Sequence, residues 1–233
     1  MREVWREHPA NADGGALFAE ALMNLRPWDL WTPDGRMQPG TAELTETLAA
    51  VLALEPKHPA ALHFTIHTWE ASPTPEKALP AADLLRDLVP WAGHLVHMPA
   101  HIDIRLGRYA DAATANRKAI DVDLAYVEKA GRDGFYTIYR AHNYHFLAYA
   151  AMFEGRREVA LTAARDMARE VPLEVVRAFA DLLDGFHAVP YHVMVRFGMW
   201  QEMLDDPRPP ADLPVMQAMW RYGRTMALSS LGR

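Results

Sequence analysis

The chain contains no cysteine. Disulfides, thiolate metal sites, iron–sulfur clusters and cysteine nucleophiles are therefore excluded. It also lacks any excess of positive charge: Lys and Arg number 24 against 30 Asp and Glu, a formal net charge of −6. With no basic run longer than a pair such as Arg156-Arg157, a nucleic-acid or anionic-membrane surface is not expected. No apolar run approaches the length of about 18 residues that a membrane span needs. The opening Met1–Glu7 is charged and carries no apolar signal region, so a cytoplasmic location is expected. There is no nucleotide or haem motif. Gly14-Gly15 is an isolated pair, no G-x-S-x-G elbow exists, and no His is followed directly by Glu.

What is present is a helical period with regular punctuation. Apolar residues recur every three to four positions. Gly107, Gly155, Gly198 and Gly232 fall where one helix would end and the next begin, and Pro9, Pro56, Pro90 and Pro172 fall where paired helices would close. Setting each start fourteen residues before its Gly, or three after its Pro, gives Ala12, Pro59, Gly93, Ala141, Asp184 and Ala218. Small residues Ala78, Ala112 and Ala160 each lie nineteen residues after a start, and Pro90 and Pro172 each lie thirty-one after.

This pattern resembles the tetratricopeptide repeat, a helix–turn–helix unit of about 34 residues. Two of the five spacings equal that period and three are longer, which implies insertions. The segments Arg26–Trp31 and His94–Pro99 resemble parts of longer bacterial tetratricopeptide-like proteins. The resemblance implies an all-α fold of stacked helix pairs in a right-handed superhelix, an α-solenoid. Residues 1–233 are read as a single repeat domain. Both ends read as cut repeats: Met1–Glu7 as the tail of a second helix, and Gly232-Arg233 as a turn with no helix after it. A fragment of a longer array, or self-association through the repeat ends, follows as an expectation. The insertion Arg26–Gly35, with Trp28 and Trp31, is expected to fold back as an aromatic flap. Gly131–Gly134 is expected to act as a flexible joint.

The histidines are the chemical signal. His63, His67, His94, His97, His101, His142, His145 and His192 lie one, four or eight residues after their repeat starts. Glu20 and Tyr149 lie eight after theirs, and Glu70 eleven after. At about 100° per residue these offsets fall on one stripe less than a quarter-turn wide. The resemblance implies that this stripe faces the concave groove. Pro99 and Pro190 lie six residues after their starts and should break the first helix of each pair. His8 and His58 precede prolines and read as surface residues, and His187 falls off the stripe.

Imidazole is the commonest metal ligand, and an i, i+4 or i, i+3 pair can hold one ion from a single helix. His63, His67, His97, His101, His142 and His145 are the candidate metal ligands. Glu70 is the candidate general base, and His94, His192, Glu20 and Tyr149 are candidate ligand contacts. A nitrogen and oxygen set suits Zn, Cu, Fe or Ni, and an open position would allow metal-dependent hydrolysis or oxidation. A small molecule or peptide in the groove is the expected partner. Two other readings stay open: a peptide-binding scaffold without catalysis, and a structural repeat whose function lies in flanking sequence. A basic carboxylate clamp is not expected, because the stripe carries His, Glu and Tyr.

Overall fold

The computed structural model describes residues 1–132, 134 and 136–233, and every structural statement below concerns those residues. The fold is all-α, with no strand among the described residues; one isolated bridge pairs Trp31 with Met37. The chain divides into two compact units, Met1–Arg108 and Tyr109–Arg233. Their boundary falls inside the third expected repeat. No helix is long and apolar enough to cross a membrane.

The first unit holds α1 (Arg2–Glu7), α2 (Ala12–Asn24), α3 (Thr41–Leu54), α4 (Pro59–Glu70), α5 (Leu79–Leu85), α6 (Gly93–His97) and α7 (Pro99–Arg105). In it α2 packs on α3 and α4, and α4 packs on α5 and α7. Close approach of α2 to α3 depends on Gly15, where an added Cβ would lie 2.5 Å from Val51 Cγ2. The second unit holds α8 (Tyr109–Ala130), α9 (Tyr136–Phe153), α10 (Arg157–Glu170), α11 (Leu173–Ala178), α12 (Ala180–His187), α13 (Val189–Arg196), α14 (Trp200–Asp205) and α15 (Pro214–Ser230). There α9 packs on α8 and α10, and α13 packs on α10, α14 and α15.

The glycine punctuation has a backbone cause. Gly155 and Gly198 adopt φ of 72° and 63°, a region closed to most side chains. Each turn then closes with a six-residue bond, from Arg156 N–H to Ala151 O at 2.9 Å and from Met199 N–H to Met194 O at 2.9 Å. These are helix ends of the Schellman kind, which satisfy carbonyls that the helix leaves open. The prolines act as expected on the first helices. Pro99 stands at the start of α7, so α6 and α7 are separate segments, and Pro190 stands near the start of α13, just after α12 ends.

The insertion does fold back. Trp31 donates its indole N–H to the Thr68 carbonyl at 2.7 Å and packs on Trp69, with ring centroids 5.4 Å apart. Trp28 does not join it; it sits at positive φ with 92% of its surface exposed. Of the expected joint Gly131–Gly134, Asp133 lies outside the described residues.

Candidate metal centre

The site is built by a seam of apolar side chains. In the first unit Leu62 and Ile66 of α4 pack with Leu85 of α5, Met98, and Ile102 of α7, over the small Ala78, Ala81 and Ala82. All are nearly inaccessible to solvent, and burial of each large side chain contributes about 1.5–3 kcal/mol. The polar residues follow the seam by one position. His63 and His67 lie one residue after Leu62 and Ile66, and His97 and His101 one residue before Met98 and Ile102. Side chains adjacent in a helix point about 100° apart. Zipping the seam therefore sets the two histidine pairs side by side along its edge.

Two further devices fix the helices that carry them. His58 caps α4: its Nδ1 accepts from the Ala61 N–H at 3.3 Å, and its Nε2 bonds Asp13 Oδ1 at 3.0 Å. The sequence reading of His58 as a surface residue is thus corrected, for the ring is buried because both nitrogens are used. On α7, the fully buried Asp103 accepts two bonds from the Arg86 guanidinium, each 2.7 Å long. Sequence reasoning missed this pair; an Asp between Ile102 and Ile104 was the available signal.

Five imidazoles and one carboxylate come together. Ring centroids are 4.8 Å apart for His63 and His67, 5.1 Å for His63 and His94, 5.1 Å for His67 and His101, and 4.8 Å for His97 and His101. His67 donates from Nδ1 to Glu70 Oε1 at 2.7 Å, and His101 donates from Nδ1 to Glu70 Oε2. An ionised carboxylate can only accept, so both Nδ1 atoms carry the proton. In the neutral ring the lone pair then sits on Nε2. His101 uses it: its Nε2 lies 2.9 Å from the Nε2 of His97, which donates to it. One ligand atom from each of His63, His67 and His94 lies within 4.8 Å of the other two, and the same holds for His67, Glu70 and His101.

Electrostatics keep this cluster ready to donate electron pairs. Burial pushes His63 down to about 2, with the charges of His67, His94 and His101 acting the same way and Glu70 opposing. Burial, then His67 and His101, push His94 down to about 4. Both rings are therefore neutral near pH 7. Burial alone would raise the Glu70 carboxyl, but the bonds from His101 and His67 outweigh it and hold it well below the usual carboxylate range.

The remaining candidate residues are carried on other helices. Glu20 is exposed on α2, and its side chain makes no hydrogen bond or ion pair among the described residues. In the second unit His142 and His145 lie on α9, against Phe146 at 4.7 Å and Phe186 at 5.5 Å between ring centroids. Burial, and then the charge of His192 on α13, lower the His145 pKa. Tyr149 packs on Phe153 with centroids 4.8 Å apart. His187, off the stripe, is buried and donates from Nε2 to the Val171 carbonyl at 2.7 Å.

No protein-family model matches the chain, and no curated protein matches it either. The functional reading therefore rests on the geometry of the site.

Proposed function

We propose that this is a tetratricopeptide-like helical repeat protein whose first unit holds a divalent transition-metal ion on imidazole nitrogens. Zinc, copper, iron and nickel are the candidates, since all accept nitrogen donors. The repeat reading is supported within each unit by the packing of a first helix on both its partner and the next first helix: α2 on α3 and α4, and α13 on α14 and α15. The recurring glycine turns support it as well.

One observation carries the metal reading. The Nε2 atoms of His63 and His94, on different helices, stand 3.3 Å apart. Two nitrogens bound tetrahedrally at about 2.0–2.1 Å from one ion are separated by about 3.3–3.4 Å. The other close pairs in the cluster, at 2.7 and 2.9 Å, have the length of a shared proton. His67 supplies the third donor from Nε2, with Glu70 holding its ring at Nδ1. A carboxylate behind a ligating imidazole fixes its tautomer and raises its basicity. Glu70 is thereby an outer carboxylate in this reading. An ion so held would support hydrolysis through bound water or, if redox-active, oxidation of a small ligand.

The test is elemental analysis of tag-free protein, as purified and after chelator dialysis and metal add-back. About one equivalent of metal per chain, lost in a His63→Ala/His94→Ala variant that keeps its helix content, is expected. Protein that takes up no transition metal at micromolar concentration would overturn the reading.

A further inference from the structure

The coordination that the cluster can supply is incomplete, and its charge is unbalanced. His63, His67 and His94 offer three nitrogen donors. Ions of this class take four or more ligands. The other members of the cluster, Glu70, His97 and His101, are already hydrogen-bonded. Glu70 accepts from His67 and from His101, and moving it inward would break both bonds. His101 offers its remaining nitrogen to His97 at 2.9 Å.

Charge points to what fills the fourth position. Three neutral imidazoles leave the ion's two positive charges untouched. Glu70, one shell out, offsets one of them. His63, His67 and His94 are each largely shielded from solvent, so a residual positive charge among them is costly. An anion bound directly to the metal removes that charge. A neutral donor does not.

On the reading that the cluster holds an ion, we infer that the fourth position of the His63–His67–His94 site takes a small anionic oxygen or nitrogen donor from solution, not a fourth side chain. Hydroxide and the carboxylate of a small molecule share this chemistry. The ligand class is therefore a small acid, or water that has lost its proton.

Cobalt(II) titrated into the metal-free full chain reports the coordination through its visible d–d bands. Azide and acetate are then added at fixed pH, and in a separate arm pH alone is raised with no added anion. A saturable band shift with azide or acetate supports an anion from solution, and acetate as effective as azide identifies carboxylate as a ligand. A shift with pH alone identifies hydroxide. Cobalt-loaded protein whose spectrum moves in neither arm overturns the inference and leaves the metal reading intact. A chain that binds neither cobalt nor zinc fails at the metal step, and the inference falls with it. His101→Ala separates the remaining case. If His101 were the fourth ligand, the variant would gain an anion response that the parent lacks. If the position is open, both respond alike.

Discussion

Glu70→Gln is the substitution that discriminates most sharply between an outer carboxylate and a direct ligand. The carboxylate receives protons from His67 Nδ1 and His101 Nδ1, at 2.7 Å in the first case. Glutamine keeps one acceptor oxygen and replaces the other with a donor. One of the two rings must then present a lone pair at Nδ1. His101 can do so at little cost, because its Nε2–H would then donate to His97, 2.9 Å away. His67 cannot without losing the lone pair it offers the ion. The amide oxygen is therefore expected to turn to His67. What remains is a neutral hydrogen bond where a charge-assisted one stood, and the charge-assisted kind is roughly twice as strong. That loss is about 1–2 kcal/mol, or about five- to thirtyfold in metal affinity. Zinc competition against a chromophoric chelator at fixed pH measures it, with circular dichroism as the control for folding. His63→Ala, which removes a ligand outright, should cost far more. Equal affinity in the Glu70→Gln and parent proteins would refute the tautomer argument. A loss as complete as that of His63→Ala would make Glu70 a ligand.

Other expectations follow from contacts outside the cluster. Arg86→Met removes both 2.7 Å bonds to the fully buried Asp103 carboxylate and leaves it the longer ion pair with Arg108 Nε at 3.5 Å, so the first unit should lose up to about 3 kcal/mol of stability, read from chemical denaturation. Asp184, whose carboxylate accepts the Val215 and Met216 N–H groups at 2.6 and 3.1 Å, caps α15 across 31 residues of chain. Asp184→Ala should cost about 0.5–2 kcal/mol in the same measurement, and an unchanged midpoint would show that the cap is dispensable. Burial lowers the His187 pKa, although the Val171 carbonyl and the Asp184 charge oppose it. The unfolded chain then binds the proton first, so this contribution is fully present above about pH 6.5 and is lost as pH falls toward the folded value. His187→Gln should flatten stability against pH below about 6.5; an unchanged profile would assign the acid sensitivity to other groups.

What could be read from the sequence had local causes. Helix ends at Gly155 and Gly198 were legible because the φ they need is one that few other residues adopt. The pair His63/His67 was legible because one helical turn joins it, and His97/His101 because Met98, between α6 and α7, keeps helical dihedrals of φ −50° and ψ −40°. The illegible part was long-range. Glu70 meets His101 across 31 residues, and Arg86 meets Asp103 across 17. Neither spacing is a helical period, so neither pair announces itself. His58 misled because His-Pro reads as a surface turn, whereas here the ring supplies the cap that starts α4. The role of Glu70 depends on which oxygen meets which nitrogen, and periodicity does not carry that information.

The apolar seam of Leu62, Ile66, Met98 and Ile102 has one last consequence. Donors carried on loops can adjust their reach to whatever ion arrives. Those one residue from a close-packed seam cannot, because moving a ring apart means opening a gap among side chains that fill space as densely as a crystal. On the proposed metal reading, the bite of His63, beside Leu62, against His94, beside the packed Leu95, is thus set by aliphatic volumes and not by the metal. On that reading ionic radius would be the quantity on which the first unit discriminates: shaving a methylene from Ile66 would retune the gauge without touching a single nitrogen.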